Sequence, residues 1–184
     1  MSRIAIFFSE GYEEVEAIAV VDICRRCRLD IDMVSITEDR VVVSSHGIAV
    51  GMDKVFAEID FADYDMLVLP GGLKGTQGLE AHEGLMAQID DFNAQGKYIG
   101  AICAAPSIFG HRGILKGRRA CCYPGFEPEL EGAIVTTENV EVDGHVVTSR
   151  GMGTATDFGL AVAGIFCGED KALEIKNQVV YKQK

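Results

Sequence analysis

The chain of 184 residues has no tryptophan, four prolines, and only 17 Lys and Arg residues against 28 Asp and Glu. With a formal charge of −11 and no basic cluster, it is not expected to bind nucleic acid or an anionic membrane surface unaided. It has no apolar run near the ~18–20 residues that a bilayer-spanning helix needs. The short run Ile4-Ala5-Ile6-Phe7-Phe8 lacks a following small-residue cleavage site, so it reads as a buried first strand and the chain is expected to be cytoplasmic. Cysteines at 24, 27, 103, 121, 122 and 167 are too sparse for a secreted disulfide scaffold and are expected to be reduced thiols. Disorder is excluded as well, because 48% apolar and 24% charged residues is an ordinary globular balance.

What is present is a regular alternation punctuated by 21 glycines. Strands are expected at Arg3–Phe8, Ile31–Ser35, Met66–Leu69 and Tyr98–Ile102. Helices are expected at Glu13–Arg26, which is apolar nearly all round between Val15 and Cys24, at Glu83–Asn93, from Ala104 onward, and at Thr154–Phe166 before Gly168. Hairpins are read at Val41–Val43 with Ile48–Val50, and at Val140–Val142 with Val146–Thr148 around Asp143-Gly144. No linker, repeat or low-complexity tract interrupts the pattern. It predicts a single α/β domain over residues 1–184, with a mostly parallel central sheet and helices on both faces.

Parallel sheets hold their ligand sites at the carboxyl ends of the strands, and here the turns after Phe8, Leu69 and Ile102 converge. Gly100-Ala101-Ile102-Cys103-Ala104-Ala105-Pro106 places Cys103 at an abrupt strand-to-helix junction among small residues, the logic of a nucleophile elbow. A helix N-terminus there favours the thiolate; the alternative is a small buried Cys that fills space. Pro70-Gly71-Gly72 offers backbone N–H groups to an oxyanion, or is a plain glycine loop. Glu16 sits among Val15, Ala17, Ile18, Ala19 and Val20. If buried it has a raised pKa and can donate to a thiolate; otherwise it is a solvent-facing helix carboxylate.

The motifs Glu13-Glu14-Val15-Glu16, Leu69-Pro70-Gly71-Gly72, Ala101-Ile102-Cys103-Ala104-Ala105-Pro106 and Thr148-Ser149-Arg150-Gly151, in that order, resemble the ThiJ/PfpI family, within it the protein-deglycase branch. The resemblance runs from Ile4 to Val180. It implies a flavodoxin-like three-layer sandwich, class I glutamine amidotransferase-like, usually an obligate homodimer. It further implies that Cys103 is the reactive, oxidisable cysteine, Glu16 its protonated partner, and Gly72 and Ala104 the oxyanion hole. The family's activities are cofactor-free glyoxalase and deglycase reactions on methylglyoxal or its adducts, and peroxide sensing through a Cys sulfinate; some members act as chaperones or proteases. One departure stands out. Cys121-Cys122-Tyr123-Pro124-Gly125 puts Tyr123 where many family enzymes carry a His, so classical Cys-His peptide cleavage is not expected.

Two function classes follow. One is a cysteine-dependent enzyme on small aldehydes or dicarbonyls, protecting against carbonyl and oxidative stress, with no cofactor and no metal. The other is a redox-sensing stress protein or chaperone in which Cys103 is oxidised and turnover is incidental. Tyr123, Arg150 and Gly71 are further pocket candidates, Arg150 either for an anionic substrate or the dimer, or as a surface or capping residue. Cys24-Arg25-Arg26-Cys27 is read as packing rather than a dithiol centre, because it falls late in a buried helix; Cys121 and Cys122 are candidates to resolve an oxidised Cys103. No His/Cys set has metal-ligand spacing, and Gly151-Met152-Gly153 lacks a dinucleotide fingerprint.

Overall fold

The first strand, β1 (Arg3–Phe8), is apolar at successive positions because both of its faces are covered. The computed structural model describes residues 2–182. After β1 come α1 (Glu14–Arg26), β2 (Asp30–Ser35), a hairpin of β3 (Val41–Val43) and β4 (Ala49–Gly51), and β5 (Lys54–Val55). The middle of the chain holds β6 (Met66–Leu69), α2 (Leu73–Ala81), α3 (Glu83–Gln95), β7 (Tyr98–Ile102) and α4 (Pro106–His111). The remainder forms β8 (Arg119–Ala120), β9 (Ile134–Val135), β10 (Val140–Asp143), β11 (Val146–Ser149), α5 (Ala155–Cys167) and α6 (Glu169–Gln178).

Seven strands make the central sheet in the order β10-β11-β7-β6-β1-β2-β5. Every neighbouring pair is parallel except the β10–β11 hairpin at one edge. Alternate residues of β1 point to opposite faces. Ile4, Ile6 and Phe8 join Val20 and Ile23 of α1 and Phe158 and Val162 of α5 in one core. Ala5 and Phe7 join Leu85, Ile89 and Phe92 of α3 and Ile108 and Phe109 of α4 in the other. This is the expected flavodoxin-like three-layer arrangement, a mostly parallel sheet with helices on both faces.

The differences from the sequence reading are local. Helix α1 starts at Glu14, with Glu13 as its cap residue. Its apolar surface is only partly covered: Glu16, Ala17, Val20 and Ile23 are buried, while Val15 is 45% exposed and Ile18 and Ala19 are half-buried. Both hairpins are displaced by a residue. Val42 pairs with Val50, leaving Ile48 in the turn, and Asp143 pairs with Val146, so the two-residue turn is Gly144-His145. Asp143 stays in the strand, where its carboxylate accepts the Arg119 backbone N–H at 2.8 Å. Helices α2 and α6 were not anticipated. Gly75 and Gly78 weaken the helical signal of α2, and α6 buries only Ala172 and Ile175 among polar residues. Among the described residues no helix is long and apolar enough to cross a membrane.

Phe158 is fully buried where α5 meets the sheet, whereas Leu173 of α6 is 55% exposed. Phe158→Ala is expected to cost about 3–5 kcal/mol through lost burial and an unfilled cavity. Leu173→Ala is expected to stay within about 0.5 kcal/mol of wild type. Urea denaturation followed by circular dichroism measures both.

Candidate functional site

Strand β7 ends at Ile102, and the chain turns so sharply that Cys103 takes φ +68°. A left-handed conformation costs a non-glycine residue about 1–3 kcal/mol and survives where its surroundings over-determine it. Here they do. The Cys103 N–H donates to Ser149 O at the end of β11 (3.0 Å), and the Cys103 carbonyl accepts the Tyr123 N–H (2.8 Å). Ala104 and Ala105 complete the turn, and α4 begins only at Pro106, not at Ala104 as the sequence reading had it. Proline suits a first helical position because its missing N–H has no partner to lose.

Glu16 reaches the same point from the first turn of α1 and is 1% exposed. Its Oε2 accepts the Gly71 N–H at 3.0 Å, and its carboxyl hydrogen-bonds the Cys103 thiol. Burial pushes this carboxyl up to about 7, against the lowering effect of the Cys103 and Gly71 hydrogen bonds. Gly71 cannot be larger: a Cβ there would lie 2.5 Å from Cys103 Cβ. Gly72 adopts φ +89°, and a Cβ would lie 2.5 Å from Gly11 O. The backbone N–H groups of Gly72 and Ala104 are left to hydrogen-bond the Cys103 sulfur.

The sequence reading expected a helix N-terminus to lower the Cys103 pKa. Instead burial, then the charge and hydrogen bond of Glu16, push the thiol up to about 12, and the Gly72 and Ala104 amides offset only part of this. Helix α4 has six residues and starts three positions away, so its dipole is weak at the sulfur. The two groups therefore form one unit. Between about 7 and about 12 the pair carries a single negative charge and one proton between sulfur and carboxyl. Moving that proton to Glu16 exposes a thiolate without changing the charge of the site.

The unit faces a cavity of about 390 Å³, lined in its depth by Glu16, Gly72, Cys103 and Ala104. Leu73, Tyr123, Phe126 and Met152 add mostly apolar sides, and Glu13 and His46 complete the lining. Of the residues singled out in the sequence, Tyr123 lines this cavity with a half-exposed ring. Gly71 and Arg150 do not. Gly71 lies behind Glu16, which it holds in place, and Arg150 follows β11 with its backbone N–H donated to Thr154 Oγ1 at 3.2 Å. Cys121 and Cys122 are buried outside the lining, Cys121 with its N–H donated to Thr148 Oγ1 at 3.0 Å. Burial also pushes up the Cys24 and Cys27 thiols, Cys27 to about 12, and Cys27 hydrogen-bonds Cys167 rather than closing on Cys24.

Glu13, His46, Leu73, Phe126 and Met152 were missed as cavity residues. The Glu13 motif position was visible in the sequence; the other four reach the cavity only through tertiary placement. Among the described residues, one group has metal-ligating atoms within 4.8 Å of one another, Glu13, Glu14 and His46.

A carboxyl whose folded pKa is raised contributes stability that is present at low pH and is lost as pH rises through that value. For Glu16 the loss runs from about 4.5 to about 7. Glu16→Gln removes the ionisation while keeping an acceptor for Gly71 and a donor for Cys103. It is expected to match wild type at pH 5 and to be more stable at pH 8 by roughly 2–3 kcal/mol. Urea midpoints at the two pH values measure this.

A profile of the DJ-1/PfpI family matches residues 2–164. The chain is 33% identical over 182 residues to protein DJ-1 homolog B of Arabidopsis thaliana, covering 98% of this chain and 42% of that protein. It spans less than half the length of the two Arabidopsis relatives it matches. It is 30% identical over 150 residues to a deglycase of Pyrococcus abyssi, covering 80% of this chain and 89% of that one. The crystal structure of a cysteine-to-alanine mutant of a DJ-1 superfamily protein from Salmonella typhimurium has the same fold, with a TM-score of 0.94, 31% identity and full coverage of both chains. With its elbow cysteine, its glycine turn and its sheet order accounted for, the chain belongs to the DJ-1/PfpI family.

Proposed function

We propose that the protein is a cofactor-free, cysteine-dependent enzyme of glyoxalase or deglycase type, acting on methylglyoxal-like dicarbonyls or their adducts. The observation that carries this reading is the one-proton pair of Cys103 and Glu16, opening onto a largely apolar cavity of about 390 Å³. The archaeal relative named a deglycase supports it.

The Cys103 sulfur adds to the aldehyde carbon, forming a C–S bond as the carbonyl π bond breaks. The oxygen takes the proton held by Glu16, giving a hemithioacetal. While charge builds on that oxygen, the N–H groups of Gly72 and Ala104 stabilise it. Glu16, now ionised, moves the proton from the former aldehyde carbon to the neighbouring carbonyl carbon, while the hydroxyl proton on the first carbon passes to the oxygen of the second. The result is a 2-hydroxy thioester. Water then attacks the thioester carbon, the C–S bond breaks with its electron pair going to sulfur, and lactate leaves. In sum, methylglyoxal and water become lactic acid, one carbon being oxidised and its neighbour reduced, with no external oxidant. A carboxyl near 7 suits this exchange because it gives and takes protons at neutral pH. On methylglyoxal adducts of thiols or amines the same elbow would release the nucleophile, which is the deglycase form.

A second reading rests on the same donors. Gly72 and Ala104 N–H groups with a protonated Glu16 are suited to hold oxygens on an oxidised sulfur. Two peroxide molecules would convert the thiol to a sulfinic acid and two waters.

The working unit is proposed to be a homodimer. Val15, Ile18 and Ala19 of α1 and Ile48 and Val50 of the β3–β4 hairpin form one solvent-facing apolar patch. A second copy related by a two-fold axis would cover it.

Lactate formation from methylglyoxal without glutathione is expected for wild type and is expected to fall at least about 100-fold in Cys103→Ser. Equal rates would remove Cys103 from the chemistry. No turnover, together with peroxide-driven oxidation confined to Cys103 by peptide mass mapping, would favour the redox reading. Ile18→Asp is expected to give a folded monomer at micromolar concentration in sedimentation equilibrium, and a wild-type monomer would refute the dimer.

A further inference from the structure

The proposed mechanism leaves one proton unassigned. Thioester hydrolysis needs a base for the attacking water, and that water enters from the open side of the cavity. Glu16 is 1% exposed and its carboxyl is held by the Gly71 N–H and the Cys103 thiol. Tyr123 stands at the position where the family resemblance implies a His.

His46 is the histidine that lines this cavity, and it arrives from the β3–β4 hairpin, far from the other motifs in sequence. The hairpin is tied to the β1–α1 turn by two backbone hydrogen bonds, Gly11 N–H to Val43 O (2.9 Å) and Ser45 N–H to Tyr12 O (2.8 Å). Ser44 Oγ closes the loop by accepting the N–H groups of His46 (3.4 Å) and Ile48 (3.1 Å). The imidazole is oriented as well. Its Nδ1 lies 2.8 Å from Glu14 Oε1, 3.7 Å from Glu13 Oε2 and 3.1 Å from Ser45 Oγ. Burial raises the Glu14 pKa, but hydrogen bonds from its own backbone, Ser44 and His46, with the His46 charge, outweigh this and hold the carboxyl below its usual range. A carboxylate beside Nδ1 orients the ring and, in the neutral imidazole, holds the hydrogen on that nitrogen so that Nε2 can accept a proton. The ring is two-thirds exposed, so water reaches it.

Building on the proposed function, we infer that His46 is the general base of the hydrolytic step and Glu14 its positioning residue. Water attacks the thioester carbon and passes a proton to His46 Nε2. The resulting oxyanion rests on the Gly72 and Ala104 N–H groups and then collapses, breaking the C–S bond with its electron pair returning to sulfur. The proton on Nε2 leaves to solvent, and the acid departs as its carboxylate, its remaining proton returning to the Cys103–Glu16 pair. Groups facing the ring are Glu13 and Glu14 from α1 and Ser45 from its own hairpin, while Glu16, Cys103 and Tyr123 line the same cavity.

Deacylation can be read without any dicarbonyl. The test uses p-nitrophenyl acetate, which acylates a reactive cysteine and reports the step by nitrophenol release, with intact mass following the acetyl adduct. Wild type, Cys103→Ser, His46→Gln, Glu14→Gln and Glu14→Asp are compared. His46→Gln is expected to keep the acylation burst at its wild-type rate, to accumulate acetyl-Cys103, and to slow deacylation about 100-fold. Glu14→Gln is expected to slow deacylation about 10-fold while the acylation burst keeps its rate, and Glu14→Asp, which restores a carboxylate, is expected to recover most of the loss, which a merely structural role would not do. Deacylation by wild type no faster than by His46→Gln overturns the inference, as does a wild type that forms no adduct. Loss of wild-type deacylation on adding EDTA also overturns it, since Glu13, Glu14 and His46 would then act through a cation. If the ester is turned over through His46 but methylglyoxal is not, the dicarbonyl reading fails while the role of His46 stands.

Discussion

A carboxyl buried against a thiol is the interaction on which the rest of this molecule depends. Glu16 and Cys103 come from the first turn of α1 and from the end of β7, eighty-odd residues apart, and meet with the carboxyl buried and the sulfur partly open to the cavity. Burying an ionisable carboxyl opposes folding at high pH, and the left-handed backbone at Cys103 adds strain. The two cores of the sheet supply the stability that offsets both. Neither feature helps the fold, and each makes chemical sense only at a site.

The topology explains how these residues meet. In a parallel sheet all strands end on one side, so the loops after β1, β6, β7 and β11 share one edge of the molecule. Backbone hydrogen bonds then lock those loops to one another: Glu13 N–H to Gly71 O, Cys103 N–H to Ser149 O, and Tyr123 N–H to the Cys103 carbonyl. Gly71 and Gly72 let the second loop pass close to the sulfur, with Gly71 serving the carboxyl and Gly72 the sulfur. Positioning comes from backbone rather than long side chains, so little conformational entropy remains to be lost when a small substrate binds.

Electrostatics set the working range. A thiol with its own carboxyl partner does not need a separate cation to become nucleophilic, since the proton moves within the pair and the charge of the site stays constant. His46 reaches the cavity on a hairpin that also borders the exposed apolar patch of α1. Glu14 lies beside His46 and also lines that patch.

By itself the sequence determined the alternation of strands and helices, the parallel sheet, and the motif positions Glu16, Gly71, Gly72, Cys103 and Ala104, because period-two and period-3.6 burial and glycine turns are local properties. It did not reveal α2 or α6, whose glycines and polar residues weaken the helical signal, or the one-residue offsets of the hairpins, which depend on pairing partners such as Arg119 with Asp143. Only the tertiary structure decided which way the Cys103 thiol shifts, since local reasoning sees a helix start and not the burial and carboxyl that outweigh it. The cavity itself was also decided there. Arg150 and Gly71 fall outside its lining, while His46, Leu73, Phe126 and Met152 enter it from segments with no motif of their own. Proximity across a folded sheet edge is a property of loop packing, and no local pattern in the chain encodes it.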